Sequence, residues 1–224
     1  MRVACGARRL HVSWRREKGT LKRLLDGYRR FQRDEFPGLR KHFHLLSDRQ
    51  APETLFVTCA DSRVVPNLFL QTEPGDLFIC RNVGNVVPPN GELAGGVSAT
   101  IEYAVQVLKV KQVIICGHSD CGAIKAWLNQ ESLRSLPAAG RWLKYVDNAR
   151  NFLDPAAAPG DIEATIRANV ISQLENLKTH PEVAAALEEK RLEVHGWFYD
   201  ILSGTIERYD PPTGKFVPLD RADK

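Results

Sequence analysis

An α/β fold with a mostly parallel central β-sheet flanked by helices is predicted by three observations. Three short runs rich in β-branched and aromatic residues, Leu55 to Thr58, Leu77 to Cys80 and Gln112 to Cys116, are apolar throughout rather than alternating, as strands covered on both faces are. Between the second and third runs, Gly95 to Val110 places Val97, Ile101, Ala104, Val105 and Leu108 on one helical face, so strand, helix and strand form a right-handed βαβ unit. At 224 residues and 43% apolar, the chain can bury one full core in a single domain.

Before the first strand, Leu21, Leu24, Leu25, Tyr28 and Phe31 recur at helical spacing. They predict an amphipathic N-terminal helical arm over residues 20–35 that Pro37 ends, with a second short helix from Leu39 to Leu46. After the βαβ unit, helices are expected over 122–129, 142–152, 161–178 and 181–190. The last opens on Pro181, where a missing N–H costs nothing. Leu192 to Leu202 and Thr205 to Val217 read as two strands joined by Ser203-Gly204, which puts an antiparallel edge strand near the C-terminus. The Pro/Ala-rich stretch from Asp154 to Gly160 is too short to separate domains.

The formal charge of +4 is misleading until it is located. Arg2, Arg8, Arg9, Arg15, Arg16 and Lys18 face only Glu17 in residues 1–18, so the body from Gly19 onward is near neutral. Nucleic-acid binding, which needs a clustered basic footprint on the folded domain, is not expected. Arginines interrupt every apolar run of the first eighteen residues, which excludes a secretory signal; they read as a disordered basic tail, or as the product of a start codon placed too far upstream, ahead of a domain spanning 19–224. No window approaches the roughly 18 apolar residues of a membrane span. Five cysteines, at positions 5, 59, 80, 116 and 121, do not resemble the dense even framework of a small secreted domain. A reducing cytoplasmic setting fits them, with thiols free for metal or catalysis.

The chemistry gathers at two strand ends. Cys59 follows the first strand in Cys59-Ala60-Asp61-Ser62-Arg63, and His118 and Cys121 follow the third in Gly117-His118-Ser119-Asp120-Cys121-Gly122. Ligands of open parallel sheets bind outside the carboxyl ends of the strands, so the two loops can share one site. A His-x-x-Cys pair alone is more often a core histidine beside a buried thiol than a metal site. A third candidate at an equivalent strand end turns the balance to Cys59, His118 and Cys121 as ligands of Zn²⁺, with a fourth position open for catalysis. Cys80 and Cys116 lie inside strands and read as core residues. Asp61 and Arg63 are placed to pair through carboxylate and guanidinium, either as a plain surface ion pair or as a device that keeps Asp61 off the metal. A cysteine-dependent phosphatase is set aside, because three residues between Cys59 and Arg63 make too short a cradle and Asp61 inside it repels phosphate.

With these motifs, and with Arg81-Asn82-Val83-Gly84-Asn85, Gly95-Gly96-Val97-Ser98-Ala99 and His195-Gly196-Trp197, the sequence resembles the β-class carbonic anhydrases from about Gly19 to Leu219. Stretches such as Glu73-Pro74-Gly75-Asp76-Leu77-Phe78 and Asn176-Leu177-Lys178-Thr179-His180-Pro181 look most like the bacterial cyanate-operon branch. The resemblance implies reversible hydration of carbon dioxide to bicarbonate by zinc-bound hydroxide, an Asp61–Arg63 catalytic dyad, and a homo-oligomer that is a dimer or larger. It also implies a carbon dioxide pocket at the dimer interface made of Gln50, Phe78 and Tyr103, with Val83 and Gly122 completing the wall. Some members carry a tryptophan three residues before the first cysteine, in a regulatory bicarbonate site shared with an arginine and a tyrosine. Here that position is Phe56, without an indole donor, although Arg81 and Tyr199 match the other two. An unregulated zinc, open at neutral pH, is therefore expected. The histidines His42, His44, His180 and His195 read as surface or structural, which leaves proton removal to buffer. The competing readings are a non-catalytic zinc protein and a relative acting on carbon disulfide or carbonyl sulfide.

Overall fold

The apolar runs pair as expected. In the computed structural model, which describes residues 20–92 and 95–219, β1 (Thr54–Cys59) lies between β2 (Leu77–Asn82) and β3 (Gln112–His118), parallel to both. β3 pairs in parallel with β4 (Glu193–Tyr199), and β5 (Ile206–Asp210) and β6 (Lys215–Pro218) continue the sheet antiparallel, in the order β2-β1-β3-β4-β5-β6. The single late strand expected over 205–217 is thus two. Pro211 and Pro212 have no N–H to give a ladder, and Gly214 turns the chain at φ +67°. The basic tail and Cys5 lie outside the described residues.

Between strands come the helices α3 (Pro66–Phe69), α4 (Gly96–Glu102), α5 (Gly122–Leu128), α6 (Gln130–Leu133), α7 (Pro137–Leu143), α8 (Ile162–Lys178) and α9 (Pro181–Glu188). Asp161 caps α8 by accepting from the Ala164 N–H, satisfying one of its orphan donors. Two helical expectations are corrected in form. The helix of residues 95–110 is α-helical only to Glu102 and then widens into a π turn, Tyr103–Val107, and the stretch 144–152 is a 3₁₀ helix following α7.

One sheet face buries Leu55, Val57, Val113 and Ile115 against Ile101 of α4, Val170, Leu174 and Leu177 of α8 and Val183 of α9. The opposite face buries Phe56, Ile114 and Cys116 in a smaller cluster with Phe69 and Trp197. α8 reaches its strands so closely because two strand residues are glycines. A Cβ on Gly117 falls 2.8 Å from Val170 Cγ2, and one on Gly196 the same distance from Val170 Cγ1. The helix is therefore seated directly beneath the end of β3, where His118 stands.

Among the described residues, those from Thr20 to Asp48 form a compact unit of their own, and those from Arg49 onward another. Within the first, α1 (Thr20–Arg30) runs through a π turn (Phe31–Glu35) into α2 (Phe36–Leu46). Pro37 does not end the helical arm. It sits in the first turn of α2, where its absent N–H leaves nothing unbonded.

Candidate metal centre

Cys59 is the last residue of β1, and His118 the last of β3. Because the two strands are neighbours in register, their carboxyl ends deliver both side chains to one place. The chain then turns through Asp120, held at φ +60°, and brings Cys121 back as the residue capping α5. The Sγ atoms of Cys59 and Cys121 and the His118 ring lie within 4.8 Å of one another, all buried.

Three observations test the fit to zinc. The two sulfurs are 4.0 Å apart, close to the about 3.8 Å that separates two thiolates bound at about 2.3 Å to a tetrahedral ion. His118 Nδ1 sits 2.9 Å from the Ser119 carbonyl and donates to it, so Nε2 carries the lone pair. That Nε2 is buried with no hydrogen-bond partner, and a bound cation satisfies it. The Cys59 thiol is brought well below the ordinary thiol range, chiefly because the Cys121 thiol donates to it, with help from the Gly84 N–H. Cys121, facing that thiolate, is pushed up. A negatively polarised thiol pair beside an imidazole lone pair is a donor set for a soft, divalent cation.

Beside this cluster Arg63 grips Asp61 with both arms of its fork. Nε donates to Oδ1 at 3.0 Å and Nη2 to Oδ2 at 2.8 Å, while the Arg63 backbone N–H donates to Oδ1 at 2.9 Å. These bonds hold the Asp61 carboxyl far below the usual carboxylate range. Asp61 Oδ2 lies 3.9 Å from His118 Nε2. Sequence reasoning missed what braces the fork from behind: Arg63 Nη1 donates to Asp120 Oδ2 at 2.9 Å, and Lys125 pairs with the other Asp120 oxygen. The signal was present, since Asp120 stands inside the second motif and Lys125 one turn into the helix that follows it.

Arg81 is committed to the loop rather than free. It donates to the Cys59 carbonyl at 3.2 Å and the Asp61 carbonyl at 2.6 Å. Phe56 is wholly buried against Phe69 and Trp197, and Tyr199 stacks on Phe69 with ring centroids 4.4 Å apart. A buried amide ladder on α8 was also unread. Asn169 donates to the Gly84 carbonyl, Gln173 accepts from the Val87 N–H, and Asn176 donates to the Val87 carbonyl, pinning the segment after β2 beneath the metal loop. Polar amides at 169, 173 and 176 on an otherwise apolar helical face were the available sign. His180, buried, faces the Pro88 carbonyl and is structural.

The remaining expected residues divide. Phe78 and Tyr103 face each other, ring centroids 6.0 Å apart; Phe78 packs on the apolar cluster distinct from the one that contains Cys59, and Tyr103 is exposed. Val83 and Gly122 flank the ligand loops and are exposed, as is Gln50. No hydrogen bond or ring contact of the described residues joins Gln50, Phe78 or Tyr103 to the cysteine–histidine cluster within one chain.

A family described as carbonic anhydrase matches residues 54–206. The chain belongs to the β-class carbonic anhydrase family. The carbonic anhydrase of Pseudomonas aeruginosa is 50% identical over 199 residues, covering 88% of this chain and 90% of that protein. Carbonic anhydrase 1 of Escherichia coli O157:H7 is 50% identical over 202 residues, 89% of this chain and 92% of that one. Among solved structures, the β-carbonic anhydrase CcaA superimposes with a TM-score of 0.84 at 41% identity, covering 88% of this chain and 91% of that one. A tetrameric β-carbonic anhydrase of Sordaria macrospora matches with a TM-score of 0.65 at 32% identity, covering 84% and 92%. Zinc-dependent hydration of carbon dioxide to bicarbonate is the family's reaction, and the donor set assembled here fits it.

Proposed function

We propose that this reaction runs at a zinc held by Cys59 Sγ, His118 Nε2 and Cys121 Sγ, and the observation that carries the assignment is the buried, unpartnered His118 Nε2 facing two thiols 4.0 Å apart. Held there, zinc would supply Lewis acidity, which makes water a nucleophile for carbon dioxide near neutral pH. Asp61, kept ionised by Arg63, accepts a hydrogen bond from that nucleophile and orients it. Arg63 has a second task. With both Asp61 oxygens in its fork and Asp120 behind it, it would keep the carboxylate from serving as a further metal ligand. Phe56 in place of an indole donor supports an open, unregulated site, with Arg81 bracing the loop instead. Two thiolates push more charge onto the metal than neutral imidazoles do, so turnover rises toward alkaline pH.

Gln50, Phe78, Val83, Tyr103 and Gly122 line the carbon dioxide pocket in this reading, with Gln50 polarising a substrate or product oxygen. Phe78 packs on an apolar cluster apart from Cys59 and its ring partner Tyr103 is left exposed within one chain, which supports a pocket completed by a second copy in a dimer or larger homo-oligomer. Residues 19–224 then act as one catalytic domain behind a basic tail. Cys59, Cys80, Cys116 and Cys121 are all free thiols, and no helix among the described residues is long and apolar enough to cross a membrane, which supports a cytoplasmic setting. The cyanate-operon likeness suits a role in replenishing bicarbonate. A structural zinc is disfavoured because it needs a fourth protein ligand and both oxygens of Asp61 are already tied to Arg63. Stopped-flow hydration of carbon dioxide, before and after removal of zinc by a chelator, tests the proposal; hydration that survives complete zinc removal overturns it. Light scattering on the eluting protein reads the assembly, and a monomer that hydrates carbon dioxide at the full rate overturns the shared pocket.

A further inference from the structure

We propose that Trp142 is a positioning residue for the Cys59 ligand and acts through one peptide group. The indole Nε1 of Trp142, at the end of α7, donates to the Val83 carbonyl at 2.8 Å. The N–H at the other end of that same Val83–Gly84 peptide donates to Cys59 Sγ at 3.4 Å. Donation to a peptide oxygen withdraws charge from its nitrogen and makes its N–H a stronger donor, so the two bonds reinforce each other. The peptide is held in line from both sides. Gly84 adopts φ +82°, a conformation that strains any side chain, with a Cβ there in tight contact at 3.2 Å from Ala123 Cβ, and Asn169 anchors the Gly84 carbonyl at 3.1 Å. Trp142 itself packs edge-on against Tyr145, with centroids 5.9 Å apart. The indole thus tempers the charge that the Cys59 sulfur offers a metal, which is the work of an outer-shell partner. The inference rests on Cys59 being a ligand.

Cobalt(II) loaded in place of zinc reads the sulfur directly through its sulfur-to-metal charge-transfer band. In Trp142→Phe the ring stays and the N–H goes, so the band moves to longer wavelength while metal stoichiometry is unchanged. Tyr145→Phe disturbs the same aromatic pair without touching the peptide and leaves the band in place. Uniform 5-fluorotryptophan, whose indole is a stronger donor of the same shape, moves the band to shorter wavelength in the unmutated chain and keeps the test available if Trp142→Phe does not fold. An unmoved band in folded Trp142→Phe, an equal shift in Tyr145→Phe, or a fluorotryptophan shift that is absent or toward longer wavelength overturns the proposal. Absence of any charge-transfer band from the unmutated protein, or one unaffected by Cys59→Ser, instead defeats the ligand assignment beneath it.

Discussion

Cys59 and Cys121 are 5% and 1% exposed, and Cys80 and Cys116 are 8% and 0% exposed, so burial does not tell the two pairs apart. What differs is the company each thiol keeps. Cys116 is enclosed in the middle of β3, its S–H donates to the Gly117 carbonyl, and burial pushes it up to about 12. Burial raises Cys80 as well. Cys59 is also buried, but it stands where β1 ends and the loops begin, and there the Cys121 thiol and the Gly84 N–H point at its sulfur and bring it down below the ordinary thiol range. A strand interior spends its N–H groups on neighbouring strands, whereas a strand end has donors left over for a thiolate. The carboxyl ends of β1 and β3 are where this sheet can make metal ligands out of cysteines.

The most severe break in the contrast is Cys59→Ser or Cys121→Ser, which should lose zinc and lower carbon dioxide hydration by about a thousandfold or more, whereas Cys116→Ala should keep both and lose only about 1–2 kcal/mol of stability. Metal analysis with stopped-flow assay and denaturant melts reads all three, and a zinc-free Cys116→Ala would erase the distinction. Asp61→Asn comes next. It removes the charge Arg63 holds while keeping the shape, and turnover should fall about ten- to a hundredfold with zinc content unchanged; undiminished turnover removes Asp61 from its role. Gly117→Ala forces a Cβ to 2.8 Å from Val170 Cγ2, so the strand bearing His118 must shift, with a loss of about 1–3 kcal/mol in thermal or denaturant unfolding.

The smallest effect counts protons. In the metal-free protein Cys59, drawn below the ordinary thiol range by its donors, gives up its proton more readily than Cys121, which its neighbour pushes up. Zinc needs both thiolates, so binding near neutral pH should release fewer than two protons per ion. Calorimetry in buffers of different ionisation enthalpy measures the number. The same shift has a sign in stability. Cys59 has a folded value below its unfolded one, so its contribution to the metal-free protein is complete above the ordinary thiol range and is lost as pH falls through the lowered folded value. Acid melts of the metal-free chain should show this loss, and Cys59→Ser should lack it.

Much of this was legible in one dimension. Fully apolar strands, helical spacing in α8 and the two loops carrying Cys59, Asp61, Arg63, His118 and Cys121 are local patterns, because strand and helix periodicity and the turn at a strand end depend on neighbours in the chain. The resemblance in those loops supplied the reaction. Other features needed the fold. That Thr205 to Val217 is a hairpin, that Pro37 opens a helix rather than closing one, and that the helix after β2 widens at Tyr103 are outcomes of packing and ladder geometry, which override propensity at element ends. Asp120 behind Arg63, the α8 amides beneath Gly84 and the indole of Trp142 on the Val83 carbonyl join residues distant in sequence. No spacing rule reaches them, because a buried polar group takes whichever partner the folded chain brings within about 3 Å, and only tertiary structure decides which one that is.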